Sequence, residues 1–260
     1  MAARVSLQAT AFTHPGAVRP RNEDTIAVGD WITSEAMTEP QTFELAVGAP
    51  TLCLVADGMG GHAAGEVASR TVAEFLVRHA GEATTPEAVA ALLLDANAEL
   101  LALMDENPAW RDMGTTVAGI AVNPAGVLVF NVGDSRVYRI DRGVFTQLST
   151  DDTPGPKLSD GRTAMYTSSL ISQVLGGYGS GDAGDGGDEL VPHVLSEPLA
   201  AETRYLICSD GLTDLLDLPT MAMQLAEDDG DTIEALFDAA MERGGDDNIS
   251  IIIAHVRVVS

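Results

Sequence analysis

Positive charge is scarce in this chain of 260 residues, which has 14 Lys and Arg against 39 Asp and Glu and a formal net charge of -25. Nucleic-acid binding depends on basic residues that neutralise phosphates, so the composition argues against that partner and against an anionic membrane surface. A phosphate site in such a protein needs local positive charge from a metal ion or an arginine. The acidic field would attract divalent cations, although acidity that only aids solubility explains the bulk charge equally well.

Cysteine is also rare: Cys53 and Cys208 each lie inside an apolar run, and there is no C-x-x-C pair. Two buried free thiols are therefore expected rather than a disulfide, which fits a reducing compartment. The chain has no apolar run of about 18 residues that could span a membrane and no basic-then-apolar signal peptide at its start. We expect a cytoplasmic protein without a membrane partner and take it to be a monomer.

The apolar pattern predicts one α+β domain over residues 1–260, with antiparallel sheets because strands come in meanders and helices in blocks. Strands are expected at 5–12, 24–28, 51–56, 115–122, 127–132, 136–141, 143–148, 204–209 and 249–257. Helices are expected at 64–80, at 86–105 and within 212–243. The segment 31–50 is predicted to be a loop or an irregular hairpin. The links between the central strands, Gly133-Asp134-Ser135 among them, are short enough to predict antiparallel neighbours.

The region around 151–189 is predicted to be a mobile flap that ends in a glycine-rich loop. Residues 176–188 hold seven glycines and three aspartates, a composition that cannot pack into a core. The loop faintly resembles a calcium-binding repeat, but that repeat works in tandem and here occurs once. Calcium binding is therefore the weaker interpretation.

Acidic residues recur at the ends of the predicted strands. Three aspartates follow apolar runs, and two acidic clusters precede strands: Asp57, Asp134 and Asp210, then Glu23-Asp24 and Asp246-Asp247. If these ends meet at one edge, the carboxylates repel one another unless cations bridge them. Oxygen ligands without a convincing His or Cys partner suit Mg²⁺ or Mn²⁺, and two such ions can hold a bridging water for in-line attack on a phosphoryl group. An Asp-Gly after a strand is ordinarily only a turn, so spacing alone leaves both interpretations open.

Six ordered motifs carry a family resemblance between about residue 10 and residue 255. They are RPRNED (19–24), DGMGGH (57–62), GTT (114–116), VGDSR (132–136), SDGLTD (209–214) and GDDN (245–248). Together they resemble the bacterial members of the PPM (PP2C-like) family of metal-dependent protein serine/threonine phosphatases. DGMGGH is the most specific of the six, and their common order strengthens each.

The resemblance implies a fold and a metal centre. The fold would be two stacked antiparallel β-sheets flanked by α-helices, an α-β-β-α sandwich. The cofactors would be two Mn²⁺ or Mg²⁺ ions and a third, weaker one. The ligands implied for them are Asp57 bridging both ions, the Gly58 carbonyl on one, Asp210 and Asp247 on the other, Glu23 and Asp24 directly or through water, and Asp134 with Asp210 at the third.

The resemblance also assigns two residues to the substrate. Arg19 would clamp the phosphate, for which its guanidinium offers a bidentate fork. His62 would protonate the leaving oxygen as a general acid, since imidazole titrates near neutral pH. The bland alternatives are an ordinary surface arginine and a histidine at a helix N-terminus. Arg136 is expected to pair with an internal carboxylate.

The partners implied are phosphorylated proteins and a cognate kinase of the Hanks type. The alternative function is a catalytically silent PPM-like binding or regulatory module, which the retained Asp57, Asp210 and Asp247 disfavour. A haloacid-dehalogenase-like phosphatase would need an Asp-x-Asp pair at the first strand end, which is absent. One departure from the family pattern stands out: members often have Asp-His where this chain has Asp151-Asp152.

Overall fold

The structure is a computed structural model, and it describes residues 4–60, 64–153, 171–177 and 190–259. Strands there are β1 (Arg4–His14), β2 (Thr25–Val28), β3 (Trp31–Thr33), β4 (Gln41–Val47), β5 (Thr51–Ala56), β6 (Gly58–Met59), β7 (Gly114–Thr115), β8 (Val117–Asn123), β9 (Gly126–Val132), β10 (Arg136–Asp141), β11 (Val144–Gln147), β12 (Leu175–Gly176), β13 (His193–Glu197), β14 (Glu202–Cys208) and β15 (Ile249–Val259). Helices are α1 (Ala64–Arg78), α2 (Pro86–Glu106), α3 (Asp210–Thr213), α4 (Leu218–Met223) and α5 (Asp229–Met241), with 3-10 turns at Ala80–Glu82 and Pro108–Trp110.

Two six-stranded sheets form the centre of the molecule. Sheet I has the order β11-β10-β14-β15-β1-β4, sheet II has the order β13-β9-β8-β5-β2-β3, and a small sheet has the order β12-β7-β6. Every paired strand runs antiparallel to its neighbour. The antiparallel character predicted from the short links is therefore confirmed.

Three apolar layers hold the sheets and helices together. The middle layer lies between the sheets and is built from side chains such as Leu7, Val55 and Ile252. On the outer face of sheet II, α1 and α2 contribute side chains such as Phe75 and Leu93 to a second layer. On the outer face of sheet I, α3 to α5 contribute side chains such as Leu212 and Leu236 to a third. The order helix-sheet-sheet-helix is the predicted α-β-β-α sandwich.

The helix starts follow from local sequence. Pro86 occupies the first turn of α2, and the Thr85 side chain accepts a hydrogen bond from the Ala88 N–H at 3.2 Å, which is a standard helix cap. Asp228 caps α5 in the same way through the Gly230 and Asp231 N–H groups. The helical segments predicted within 212–243 are three helices, α3, α4 and α5, of which α3 begins two residues earlier, at Asp210.

The prediction for the link Gly133-Asp134-Ser135 was wrong in one respect. It does not join neighbours, because β9 lies in sheet II and β10 in sheet I. The link instead carries the chain across the end of the sandwich. This crossing places Asp134 between the two sheets.

Three edge strands, β3, β4 and β13, were not predicted as such. β4 joins sheet I beside β1 and β3 joins sheet II beside β2, so the segment 31–50 is no hairpin. β13 pairs with β9 at the edge of sheet II. Cys53 and Cys208 are buried and free, as predicted. In the described part of the chain, no helix has both the length and the apolarity to cross a membrane.

Candidate metal centre

The ends of β2, β5, β9, β14 and β15 meet at one end of the sandwich. Thr25 pairs with Ala56 across β2 and β5, so the residues one step beyond, Asp24 and Asp57, come side by side. In sheet I, Cys208 pairs with Ile251, and the chain on either side leads to Asp210 and Asp247. The predicted ligands are thus gathered by strand register.

The floor of this site is a buried hydrogen-bond network that ties sheet II to sheet I. Ser250 Oγ donates to Asp24 Oδ2 at 2.6 Å and lies 2.7 Å from Thr13 Oγ1. Asn22 Nδ2 donates to the same Thr13 oxygen at 2.8 Å. Asp24 has no exposed surface, so it lies beneath the other carboxylates rather than on the open face.

Asn248 organises the loop that carries the candidate phosphate clamp. Its Oδ1 accepts the Glu23 N–H at 2.7 Å, and its Nδ2 donates to the carbonyls of Pro15 at 3.1 Å and Arg21 at 2.9 Å. These three bonds pin residues 15–23 against the start of β15. The sequence motif contained Asn248, but nothing in the local pattern indicated this role.

Arg19 lies in that loop and reaches the metal centre. Its Nη2 lies 2.6 Å from Asp247 Oδ2, and its side chain keeps 52% of its surface exposed. The only cationic group that touches a candidate ligand among the described residues is therefore the predicted phosphate clamp. An exposed arginine at the rim has freedom to turn toward a phosphate.

Asp57 is held through its backbone. Its carbonyl accepts the Thr116 N–H at 2.9 Å and the Thr115 hydroxyl at 2.8 Å. The next residue, Gly58, is in β6 and lies against the N-terminus of α1, where a Cβ added to Gly65 would come within 2.7 Å of both the Gly58 carbonyl and Glu23 Oε2. A glycine at position 65 is what allows the helix to approach these groups.

Asp134 approaches from the crossing link. Gly133 has φ +98°, and a Cβ there would lie 2.6 Å from the Thr116 side chain. The turn therefore packs directly on the residue that supports Asp57. Ser135 Oγ completes the contact at 2.8 Å from Thr116 Oγ1.

The carboxylates raise one another's pKa. Burial is the largest cause throughout. It raises the pKa of Asp24 to about 7 and, with help from the Asp210 charge, that of Asp134 to about 7. Burial and the neighbouring Asp24 and Asp210 carboxylates raise the pKa of Asp57 well above its ordinary value. The pKa values of Asp210 and Glu23 are raised as well, again chiefly by burial.

These features fit a hydrated divalent cation. Three buried oxygens, the Oδ1 atoms of Asp24, Asp134 and Asp210, have no hydrogen-bond partner within the part of the chain that the structure describes, and a cation would satisfy them. Across the described ranges, no three Asp, Glu, His or Cys side chains lie so that they could hold one metal ion on their own. Mg²⁺ usually keeps several waters and binds through one or two carboxylates, so an open set of paired carboxylates suits it and similar hard cations.

The remaining predicted residues fall into two groups. His62 lies outside the described residues, as do 154–170 and 178–189, which make up most of the predicted flap and loop. Arg136 pairs with Asp151, its Nη2 lying 2.7 Å from Asp151 Oδ2, as predicted. Asp214, which no role was predicted for, faces Asp210 closely enough to raise its pKa.

Comparison with known proteins agrees with this geometry. The sequence profile described as "Protein phosphatase 2C" matches residues 42–249. The serine/threonine protein phosphatase PstP of Mycobacterium tuberculosis is 31% identical over 268 residues, which cover 98% of this chain and 46% of the relative. The chain thus spans about half the length of that relative.

Two further comparisons extend the result. The serine/threonine phosphatase stp of Listeria innocua is 27% identical over 218 residues, covering 78% of this chain and 83% of the relative. The crystal structure of the catalytic domain of a serine/threonine protein phosphatase PstP in complex with two manganese ions superposes with a TM-score of 0.77 at 29% identity, covering 97% of this chain and 99% of that one. Fold and sequence therefore agree over nearly the whole chain.

Proposed function

The chain belongs to the protein phosphatase 2C family, and on that premise we propose that it is a metal-dependent protein phosphatase acting on phosphoserine and phosphothreonine. The observation that carries the proposal is the convergence of Asp57, Asp210 and Asp247 beside Arg19 at one end of the sandwich. The activity named for the relatives supports the substrate class. The net charge of -25 argues against a nucleic acid as an alternative substrate or partner.

The proposed metal ligands follow the geometry. Asp57 would be shared by two ions, with the Gly58 carbonyl on one and Asp210 and Asp247 on the other. Glu23 lies at the edge of the set, and the full burial of Asp24 favours action through water. When bound, the two ions would neutralise these carboxylates and supply a Lewis acid and an activated water. The two manganese ions in the PstP catalytic-domain structure support this number.

Asp134 and Asp210 are the proposed ligands of a third, weaker ion. Asp134 Oδ1 is buried and has no hydrogen-bond partner in the described ranges, and the Asp210 charge helps to raise the Asp134 pKa. Each carboxylate therefore lies within the electrostatic reach of the other, which supports a cation between them. The third ion concerns how tightly the protein binds metal, whereas the proposed hydrolysis depends on the other two ions.

Arg19 is the proposed phosphate clamp. In the structure its guanidinium pairs with Asp247 at the exposed rim. A bound ion at Asp247 would compete for that carboxylate and release the guanidinium, which then presents parallel N–H donors to a phosphate. Arginine here also supplies positive charge that a protein of net charge -25 otherwise lacks.

His62 is the proposed general acid, on the strength of its place in the DGMGGH motif. The expected partners are phosphorylated proteins and a cognate Hanks-type serine/threonine kinase whose action the enzyme would reverse. A cytoplasmic monomer remains our expectation from composition. The general acid, the kinase partner, the location and the oligomeric state are proposals that go beyond the phosphatase activity named for the relatives.

The test is phosphate release from matched phosphothreonine and phosphotyrosine peptides in Mn²⁺, with Asp210→Asn and Asp95→Asn as paired variants. Asp95 is an exposed aspartate on α2 and serves as the control. We expect turnover of the phosphothreonine peptide by the wild type and Asp95→Asn, and little by Asp210→Asn. Equal turnover of the phosphotyrosine peptide, or full activity in Asp210→Asn, would contradict the proposal.

A further inference from the structure

Asp151 and Asp152 stand where members of the family often have Asp-His. They form hydrogen bonds at both ends of the Gly133–Ser135 link, the crossing turn, which carries the chain from sheet II to sheet I. Asp151 accepts from Arg136, the residue that follows the turn, with Nε to Oδ2 at 2.9 Å and Nη2 to Oδ2 at 2.7 Å. Asp152 bonds Gly133, the residue that opens it. Asp134 is therefore held between two anchored ends.

Asp152 makes the tighter of the two attachments. Its Oδ2 accepts the Gly133 N–H at 2.8 Å, and its own N–H donates to the Gly133 carbonyl at 3.0 Å. Its Oδ1 accepts from Gln173 Nε2 and His193 Nε2, both at 2.8 Å. The side chain is only 8% exposed, and every bond to it is a donation, so only a carboxylate satisfies all three donors.

His193 reaches this carboxylate from a distant part of the sequence. It opens β13 and pairs with Asn131 of β9. Asn131 is itself buried, and its Nδ2 donates to the Gly133 carbonyl at 3.2 Å and to the Thr150 carbonyl at 2.7 Å. The His193 imidazole thus holds Asp152 against the Gly133–Ser135 turn, to which Asn131 is also hydrogen-bonded.

The network leads to two candidate metal ligands. Asp134 follows Gly133 directly, and Gly133 packs on Thr116. Thr116 in turn donates its N–H to the Asp57 carbonyl at 2.9 Å. A shift of the turn would displace Asp134 first and Asp57 second.

We propose that Asp152 and His193 are positioning residues that hold the Gly133–Ser135 turn so that the Asp134 carboxylate stays beside Asp210 to bind the weaker metal ion. The inference rests on the proposed function, because it takes Asp134 to be a metal ligand. Neither residue is a proposed metal ligand or a proposed substrate contact. In this chain the histidine beside Asp152 is His193, which opens β13. It is not the residue that follows Asp151 in the sequence, where members of the family often have histidine.

The experiment is calorimetric titration of the full chain, first stripped of metal, with Mn²⁺ alone. Variants are Asp152→Asn, His193→Ala and His193→Gln, with His79→Gln as the control. His79 pairs with Glu82 at 2.9 Å, another histidine–carboxylate contact far from the site. Thermal melting in EDTA is recorded for each variant.

Loss of a partner behind a metal ligand lowers affinity by about 10- to 100-fold. We expect Asp152→Asn and His193→Ala to weaken the weakest Mn²⁺ phase by about tenfold, with much smaller changes in the tighter phases and in melting temperature. His193→Gln retains a side-chain N–H donor and should recover most of the lost affinity. His79→Gln should match the wild type.

Two results would overturn the inference. One is an unchanged weak phase in His193→Ala, and the other is a parallel loss in all metal phases and melting temperature, which indicates a merely structural role. If Asp152→Asn does not fold, the pair His193→Ala and His193→Gln decides the question alone. Absence of Mn²⁺-dependent phosphatase activity in the wild type is a separate result, which would instead contradict the proposed function.

Discussion

The Oδ1 atom of Asp210 is buried without a hydrogen-bond partner among the described residues. Burial is the main cause that raises the pKa of the Asp210 carboxyl group. An unsatisfied buried group destabilises a fold by about 1–3 kcal/mol. The carboxylate therefore costs stability in the metal-free protein and gains its value on binding a cation. The buried position that suits Asp210 for binding a cation thus lowers the free energy of unfolding of the metal-free protein.

Asp210→Asn should consequently separate stability from metal binding. We expect the metal-free variant to melt at or above the wild-type temperature, because a buried charge is removed. Mn²⁺ affinity should fall by about 100-fold or more, since even outer partners of metal ligands contribute about 10- to 100-fold. Melting with and without Mn²⁺ measures both, and Asp95→Asn should resemble the wild type. A variant that retains the full metal-induced rise in melting temperature would remove Asp210 from the site.

Arg19 and Arg21 offer a second comparison between single residues. Hydrogen bonds to charged groups are worth about 1.5–3 kcal/mol, so Arg19→Ala should raise KM for a phosphothreonine peptide by about 10- to 100-fold with a smaller change in kcat. Arg21 is exposed two residues away, and Arg21→Ala should change KM little. Steady-state kinetics on both variants test this. A collapsed kcat at unchanged KM would move Arg19 from substrate binding to the transition state.

At this scale the sequence indicated which residues matter but not how they are arranged. Motif order singled out Asp57, Asp210 and Asp247. Register within each sheet aligns β2 with β5 and β14 with β15, and the stacking of the two sheets sets the Asp210 and Asp247 charges near Asp57. The organising role of Asn248 and the contact between Asp152 and His193 were not predictable. Both depend on bonds between residues far apart in the chain, 225 positions for the Asn248–Glu23 bond and 41 for the Asp152–His193 bond, which local patterns do not encode.

At the scale of elements, the N-terminus of α1 is pressed against the metal centre through Gly65. A methyl group there would meet Glu23 Oε2 and the Gly58 carbonyl, both at 2.7 Å. Overpacking of this kind costs about 1–3 kcal/mol. The position of the helix, rather than its own stability, therefore determines the shape of the site.

Gly65→Ala should lower both melting temperature and Mn²⁺ affinity, the latter by about tenfold, because the displaced groups are the predicted ligands. Gly81→Ala is the matched control, since a Cβ at Gly81 would have no atom within 4 Å. That variant should change stability by no more than about 0.5 kcal/mol. Calorimetric Mn²⁺ titration distinguishes the two. Unaltered affinity in Gly65→Ala would mean that α1 does not shape the metal centre.

Buried elements were predicted well and edges poorly. The apolar run 51–56 coincides with β5, and the helices at 64–80 and 86–105 match α1 and α2 closely. The edge strands β4 and β13 are exposed or half-buried along nearly all of their length, so they lack the apolar pattern that identifies a buried strand. The three-residue link 133–135 looked like a hairpin because length does not distinguish a turn within one sheet from a crossing between two.

For the whole molecule, the crowded carboxylates make stability depend on pH and on metal together. The folded-state pKa values of Asp24 and Asp134 lie at about 7, against an ordinary value of 3.8. A raised pKa contributes stability that is present below the ordinary value and is lost as pH rises through the folded value. The metal-free protein should therefore become less stable between about pH 4 and about pH 7, the interval between the ordinary and the folded-state pKa values.

Bound Mn²⁺ should reverse this trend, because metal binding replaces the protons. We expect the difference between melting temperatures in Mn²⁺ and in EDTA to grow steadily with pH over that interval, with a metal-free loss of the order of a few kcal/mol. Melting curves at several pH values measure it. Parallel curves with and without metal would show that these carboxylates do not titrate in the predicted range.

The most direct test of the central claim is p-nitrophenyl phosphate hydrolysis by the metal-stripped protein during titration with Mn²⁺. The account predicts no turnover in EDTA, a rise that requires two equivalents of tightly bound metal, and loss of the rise in Asp210→Asn. Turnover that persists in EDTA would contradict a metal centre. Metal binding without turnover would instead identify a catalytically silent binding module.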